Sequence, residues 1–259
     1  MVGDETTWNW LRTLIAKPGR RLRRLDGAVR EDLYGARHGI SYLRHLLRGN
    51  RVQRRIAFDA ISEVRPPVLL IHGYLGTRGS MFILERRLID DGLCVFSFNL
   101  GTLNVRDIRR SAQIIQRKIE SILAQTPVKK IDVIGHSMGG LIGLYYVKKL
   151  GGHQKVRRLV MLGTPVRGTW AALLGVLSVG AISESAWQLL PSSDFLAELG
   201  QGTLPSEVDF FTIAAQRDWL CPPESTLLDG ADSFTVPLGH SSLVMSEEVY
   251  RHIGWALRK

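Results

Sequence analysis

The stretch Gly135-His136-Ser137-Met138-Gly139-Gly140 decides the fold. A mostly apolar run at 131–134 precedes it, and a second apolar run at 141–147 follows it. This order predicts a buried strand, a tight turn and a helix. A turn that exposes the Ser137 hydroxyl strains the backbone and leaves no room for side chains two positions away, where the stretch carries glycine. The pattern therefore predicts a serine at the start of a helix, where free N–H groups favour developing negative charge.

Length and composition suit one large α/β domain preceded by a basic extension. The chain has 259 residues, 45% of them apolar, and a net charge of +10. Residues 1–66 hold 14 Arg and Lys against 7 Asp and Glu, so most of the excess charge lies there. We therefore divide the chain into an extension at 1–65 and a catalytic domain at 66–259. No secretory signal or membrane-spanning run is visible, so a cytoplasmic location, peripheral to a membrane or not, is expected.

The extension reads as two amphipathic helices, one within residues 1–25 that ends near Pro18 and one at 26–49. On the second helix, arginine recurs every seven residues from Arg30 to Arg51. One interpretation is a basic stripe that contacts an acidic membrane surface. The other, which charge runs favour, is a solvated helix face. No nucleic-acid-binding motif accompanies the charge, so nucleic acid is not an expected partner.

From residue 66 onward, strand-like and helix-like segments alternate. Because continuous apolar strands joined by helices form parallel sheets, we predict a mainly parallel sheet with helices on both faces. The predicted strands are 68–71, 93–98, 131–134, 156–162, 210–215 and 233–236. The predicted helices are 80–91, 108–125, the segment from the serine turn to about 150, and 246–257.

One segment interrupts this alternation. Residues 168–183 carry no charge, and a second apolar piece follows at 187–199. Both lie between two predicted strands on the edge where the serine turn opens. We predict a helical cap at about 166–205 that lines an acyl-binding cleft, with an ordinary pair of core helices as the alternative. The residues expected to bind substrate there are Trp170, Leu173, Leu174, Leu177 and Trp187.

A serine hydroxyl needs a base to accept its proton and an acid to orient that base. In this architecture the partners follow the serine in the order acid, then histidine. His240 stands in a loop before the last helix, whereas His153 precedes any suitable acid and His252 lies inside a helix. Asp218 follows the strand at 210–215 at its carboxyl end, the edge at which sites form. The predicted triad is therefore Ser137, Asp218 and His240.

Two backbone N–H groups are predicted to stabilise the oxyanion. Met138 follows the serine, and Tyr74 follows Gly73 in the loop after the first body strand. His72 and His136 are expected to hold these loops. The two cysteines, Cys94 and Cys221, are far apart, so each is expected to be a small buried residue. No metal site or cofactor is predicted.

The motifs together resemble α/β-hydrolase lipases and esterases, especially the group of bacterial triacylglycerol lipases and GPI inositol-deacylase relatives. The resemblance covers residues 66–257 and rests on these segments: 72–76, 135–140, 162–169, 188–196, Asp218 and 239–243. One departure is Val166, where the family often has histidine. The resemblance implies hydrolysis of carboxylic esters of acyl lipids or similar apolar esters, with no cofactor and with a small-molecule or lipid ester as substrate.

Two further interpretations stay open. The same triad could cleave thioesters or transfer acyl groups to another alcohol. Alternatively, the chain is a non-catalytic, membrane-associated binding module that retains the fold, an idea motivated by the basic extension and the apolar cap.

Overall fold

The computed structural model describes residues 34–49, 58–101, 104–179 and 183–259. Its contacts divide the chain into two compact units, 1–37 and 38–259. Of the first unit only 34–37 are described, at the start of a helix that runs over 34–47 and is called α1 below. The helix predicted within residues 1–25, and the part of the second predicted helix before residue 34, lie outside the described residues.

A six-stranded sheet forms the centre of the second unit. Its spatial order is β2-β1-β3-β4-β5-β6, and every neighbouring pair is parallel. The strands are β1 Val68–Ile71, β2 Val95–Ser97, β3 Ile131–His136, β4 Val156–Leu162, β5 Asp209–Ala215 and β6 Asp232–Val236. The predicted parallel α/β-hydrolase architecture is confirmed.

Helices cover both faces of the sheet. After α1 they are α2 Phe82–Asp90, α3 Ile108–Leu123, α4 Met138–Lys149, α5 Ala172–Val179, α6 Glu184–Gln188, α7 Asp194–Gly200 and α8 Glu247–Ala256. Side chains of α3 and α4 form one apolar core with Leu69 and Val133. Side chains of α2 and α8 form the second core with Leu70 and Ile134. Because successive strand residues point to opposite faces, a strand buried on both sides reads as a continuous apolar run.

Helix α1 is anchored on the body at the edge that carries the serine. The His45 ring stacks on Phe82 with ring centroids 5.0 Å apart. The Thr77 hydroxyl donates a hydrogen bond to the carbonyl of Leu46 at 3.0 Å. A glycine is needed at Gly79, because a Cβ there would collide with the His45 carbonyl. Residues 38–47 of this helix therefore belong to the second unit.

The cap lies between β4 and β5 and consists of α5, α6 and α7. Its helix α6 is tied to the N-terminal end of α3. Glu184 accepts a hydrogen bond from the Asp107 N–H at 2.9 Å, and Gln188 accepts one from the Ile108 N–H at 2.8 Å. These acceptors satisfy N–H groups that a helix start leaves unpaired. The cap is thereby fixed at its α6 end.

Candidate active site

Ser137 occupies the turn between β3 and α4, with φ 54° and ψ −129°. A non-glycine residue at positive φ costs about 1–3 kcal/mol, and such strain concentrates at functional sites. The turn is held by a hydrogen bond from the Ser137 N–H to the Leu162 carbonyl at 2.8 Å. The strained conformation directs the serine away from the strand and places it at the start of the helix.

Glycine is required on both sides of the serine because the turn is compact. A Cβ at Gly135 would collide with the backbone of Gly140, and one at Gly139 would collide with the Ile71 carbonyl. A Cβ at Gly73 would lie 2.8 Å from Ser137 Cβ. The loop after β1 therefore touches the serine directly, which is what the predicted oxyanion arrangement requires.

Asp218 and His240 meet across the ends of β5 and β6. His240 Nδ1 donates to Asp218 Oδ2 at 2.6 Å. The other carboxylate oxygen, Oδ1, accepts hydrogen bonds from the N–H groups of Leu220 at 3.0 Å and Cys221 at 2.8 Å. Gly163 lies beneath the pair, since a Cβ there would be 3.2 Å from His240 Nδ1. The buried carboxylate is thus held by three donors in one orientation.

Two opposing effects act on the pKa of the His240 imidazole. Burial lowers its pKa, but the hydrogen bond to Asp218 and the neighbouring Cys221 thiol outweigh that effect, so the pKa is raised above its ordinary value. A base of this kind stabilises the proton that it accepts.

Ser137 and His240 line the same cavity, which has a volume of about 490 Å³. Among the described residues, no hydrogen bond joins the Ser137 hydroxyl to the imidazole. Catalytic hydrogen bonds often tighten only in the substrate complex. The structure therefore brings together all three predicted triad residues, two of them in direct contact.

The two predicted oxyanion donors lie at the same cavity. Met138 is the first residue of α4, so its N–H has no partner within the helix. Tyr74 lines the cavity beside Gly73. The loop that carries Tyr74 is held by buried Asn104, whose side-chain amide donates to the carbonyls of His72 and Gly73, both at 3.3 Å. Asn104 was not predicted, because a lone asparagine between a strand and a helix carries no pattern.

Two buried histidines, His72 and His136, support the site, and His136 also lines the cavity. His72 Nδ1 donates to the Gly73 carbonyl at 3.2 Å, and His136 Nε2 donates to the His240 carbonyl at 3.3 Å. Burial lowers the pKa of His72 to about 4. Burial and the nearby charge of His240 hold the pKa of His136 well below its ordinary value. Both rings are therefore neutral and act as hydrogen-bonding supports for the two loops.

The cap residues expected to bind substrate lie on the surface. Trp170, Leu173, Leu174 and Trp187 are 68%, 40%, 55% and 48% exposed. The side chain of Leu177 lies outside the described residues. The cap side chains that do line the cavity are Thr169, Ala171, Ala172, Ala186 and Leu189. In an uncharged segment, apolar character alone does not reveal which helix face points inward, and the small residues turn out to be the inner ones.

Two further parts of the cavity wall were not expected. Helix α1 lines the cavity through Gly39, Tyr42 and Leu46, although this helix was predicted to belong to a separate N-terminal extension. Cys221 also lines it and is 3% exposed, which agrees with the expectation of a small buried residue. Tyr42 and Leu46 widen the apolar face that Leu43 and Leu47 form, and this width was the available signal for a buried contact.

Comparison with known proteins agrees with the observed fold. A family model for the alpha/beta hydrolase fold matches residues 66–188. A triacylglycerol lipase of Burkholderia plantarii is 30% identical over 122 residues, which is 44% of this chain and 33% of that protein. A triacylglycerol lipase of Vibrio cholerae serotype O1 is 32% identical over 130 residues, 48% of this chain and 40% of that protein. The matches thus span well under half the length of these curated relatives.

Solved structures extend the likeness of the fold to most of the chain. The mature Bacillus licheniformis lipase BlEst2 superposes with a TM-score of 0.65 at 15% identity, covering 81% of this chain and 96% of that one. Aspergillus fumigatus lipase B superposes with a TM-score of 0.64 at 16% identity, covering 77% and 53%. At this identity the likeness concerns the fold alone.

Proposed function

We propose that this chain, which has the α/β-hydrolase fold and resembles lipases and esterases, hydrolyses carboxylic esters of apolar acyl groups. The observation that carries the proposal is the 2.6 Å hydrogen bond between His240 and buried Asp218, on a cavity shared with the strained Ser137. A base oriented by an acid beside a serine at a helix start is the arrangement that acyl transfer needs.

The proposed reaction has two steps. Ser137 Oγ attacks the ester carbonyl carbon while His240 Nε2 accepts its proton, and the N–H groups of Tyr74 and Met138 stabilise the oxyanion. His240 then returns the proton to the departing alcohol, which leaves an acyl-enzyme. Water, deprotonated by His240, attacks the acyl carbon, and collapse of the second intermediate releases the acid and restores the serine. Asp218 keeps the imidazole oriented and stabilises its positive charge.

The wall of the cavity favours an apolar acyl chain. Its side chains are mostly aliphatic or aromatic, including Leu46, Leu75, Leu189 and Leu220. A cavity of about 490 Å³ falls within the usual range for small-molecule sites. Burying each methylene of an acyl chain in such a wall contributes about 0.8 kcal/mol, so chain length should affect affinity strongly. Thioester cleavage and acyl transfer use the same groups and remain the alternatives.

The test is a chain-length series of p-nitrophenyl esters, followed below and above the solubility limit of each ester. Wild type should turn over the esters, and Ser137→Ala should lose about 10⁶-fold in kcat. Ser62→Ala, which changes an exposed serine far from the cavity, is the matched control and should retain wild-type rates. Equal turnover by wild type and Ser137→Ala would exclude this mechanism. A jump in rate at the solubility limit would identify a lipase, and saturation below it an esterase.

A fluorophosphonate probe separates the enzyme from a non-catalytic binding module. The probe reacts with an activated serine, so the labelled peptide should contain Ser137, and His240→Ala should abolish labelling. A correctly folded wild-type sample that stays unlabelled would favour the binding module.

We also propose that α1 provides peripheral contact with an acidic membrane surface. Its outer side exposes Ile40, Leu43 and Leu47 at 71%, 54% and 78%, with exposed Arg44 and Arg48 beside them. Apolar side chains flanked by arginine fit the boundary between acyl chains and anionic headgroups. No helix within the described ranges is long and apolar enough to cross a bilayer.

Co-sedimentation with phosphatidylcholine vesicles, with and without phosphatidylglycerol, tests this contact. The triple variant Ile40→Gln/Leu43→Gln/Leu47→Gln should lose most of the binding to the anionic vesicles. Val64→Gln, which changes another highly exposed apolar residue, serves as the control. Unchanged pelleting of the triple variant would remove α1 from any membrane role.

A further inference from the structure

Cys221 places a sulfur atom, which can bind a metal ion, beside the carboxylate of Asp218 and the imidazole of His240. It is the third residue after Asp218, and its own N–H donates to Asp218 Oδ1 at 2.8 Å. This bond closes a tight turn that brings the thiol back towards the carboxylate and the imidazole. The sulfur of Cys221, a carboxylate oxygen of Asp218 and a ring nitrogen of His240 lie within 4.8 Å of one another.

We propose that these three residues form a binding site for one thiophilic divalent cation of the Zn²⁺ class, and that its occupation switches the hydrolase off. Thiolate, imidazole and carboxylate are the three ligand types that Zn²⁺ takes in proteins, with the fourth position open to water. The cavity supplies that water and the route of entry, because Cys221 and His240 both line it. The inhibitory half of the proposal rests on the proposed function, and the binding half does not.

The distances suit this cation after small movements. Metal–ligand bonds of about 2.0–2.3 Å in a tetrahedron place two ligand atoms about 3.2–3.6 Å apart. The present Nδ1–Oδ2 separation of 2.6 Å must therefore lengthen to this spacing. The Cys221 sulfur, which lies within 4.8 Å of the other two ligand atoms, must end at the same spacing from each of them. Asp218 Oδ1 is already engaged by two backbone N–H groups, so Oδ2 is the oxygen free to bind the metal once the imidazole proton has left it.

The proton balance explains the inhibition. On binding, the Cys221 thiol releases its proton to solvent, the Nδ1 proton of the neutral His240 imidazole passes through solvent to Nε2, and the metal binds Nδ1 in its place. A neutral imidazole bound to metal through Nδ1 carries its remaining proton on Nε2. That nitrogen then has no lone pair with which to accept the proton of Ser137, so the first step of the reaction is blocked.

Cys94 provides a matched control. It is also a buried free cysteine, 2% exposed, but it precedes β2 at the opposite edge of the sheet. Among the described residues, it belongs to no cluster of three metal-binding side chains. Cys94→Ser and Cys221→Ser thus replace the same group in two different surroundings.

Binding is tested on the full chain carrying Ser137→Ala, which keeps all three ligands, with Cd²⁺ as the probe. Equilibrium dialysis should find one tightly bound Cd²⁺ per chain, with the ultraviolet thiolate-to-cadmium charge-transfer band. Loss of an outer hydrogen-bond partner weakens metal sites about 10–100-fold, so loss of the thiolate ligand through Cys221→Ser should weaken binding by at least about 100-fold. Cys94→Ser should have no effect. Absence of the band, or equal affinity in Cys221→Ser, would overturn the proposed site.

Inhibition is tested separately with Zn²⁺ and a p-nitrophenyl ester. Zn²⁺ should inhibit wild type and Cys94→Ser equally and reversibly with a chelator, whereas the inhibition constant of Cys221→Ser should rise by at least about 100-fold. Equal inhibition of both cysteine variants would overturn the switch. If the wild type hydrolyses no ester, the proposed function fails, and the Cd²⁺ measurement still decides whether the site exists.

Discussion

Asp218 and His240 come from segments 22 residues apart in sequence, and their side chains are joined by a 2.6 Å hydrogen bond in a buried setting. The carboxylate accepts two more hydrogen bonds from its own turn. The pair is therefore organised before any substrate arrives, which is the condition for efficient general-base chemistry.

Replacing Asp218 by Asn should lower kcat by about 10³–10⁴-fold, because the imidazole loses its orientation and its charge partner. Burial lowers the pKa of His240, whereas Asp218 and Cys221 raise it. Since His240 works as a base only when neutral, activity rises as pH increases through that pKa. Asp218→Asn lowers the pKa, so the acid side of the kcat/KM profile should move to lower pH. An unmoved profile would show that another group controls this limb.

Asn104→Ala should lower kcat about tenfold with a smaller change in KM. The two hydrogen bonds from its side chain hold the loop of Tyr74, and neutral hydrogen bonds contribute about 1 kcal/mol each. A looser loop weakens stabilisation of the oxyanion more than binding of the ester. Steady-state kinetics checks this, with Asn99→Ala, an exposed asparagine nearby, as the control. A rise in KM alone would place Asn104 in substrate binding instead.

Stability should fall as pH drops from about 6.5 towards 4. Burial lowers the pKa of His72 to about 4 in the folded protein, while an unfolded histidine titrates near its ordinary value of about 6.5. Between these values the unfolded state binds more protons, so acid favours unfolding, by at most about 3 kcal/mol for this residue. Urea unfolding at several pH values measures the slope. His72→Gln should flatten it, whereas replacing the partly exposed His153 by Gln should not.

Glu198→Gln should reduce stability by about 1 kcal/mol, because this cap carboxylate accepts hydrogen bonds from Arg109 at 2.6 Å and from the Tyr145 hydroxyl at 2.9 Å. The group is about one-third exposed, so solvent screening limits the effect. Asp90→Asn is the control, since its exposed pair with Arg86 should contribute less than about 0.5 kcal/mol. Denaturant midpoints of the two variants decide the point; equal midpoints would mean that the cap is not anchored through Glu198.

Much of the fold and of the candidate site could be predicted from local patterns in the sequence. Strands buried on both faces are recognised as continuous apolar runs. The turn around Ser137 carries glycine at the positions where the backbone leaves no space for a side chain. The order of residues in the chain then selected His240 as the candidate base and Asp218 as the candidate acid. The reason is that the loops following parallel strands lie at one edge of the sheet.

Other parts of the site could not be predicted from the sequence, because they depend on packing between segments that are distant in the chain. Asn104 matters only because α3 begins beside the loop of Tyr74. The inner face of the cap consists of small residues such as Ala171 and Ala186, which an apolar count ranks below the exposed tryptophans.

The sequence by itself therefore determined the sheet and the serine turn, because each follows from periodicity and backbone sterics within a short stretch. It also determined the chain order of the proposed catalytic groups. Only the tertiary structure decided that α1 forms a wall of the cavity and that Cys221 stands beside His240. Such contacts join residues that are far apart in the chain, so no pattern within a short stretch of sequence predicts them.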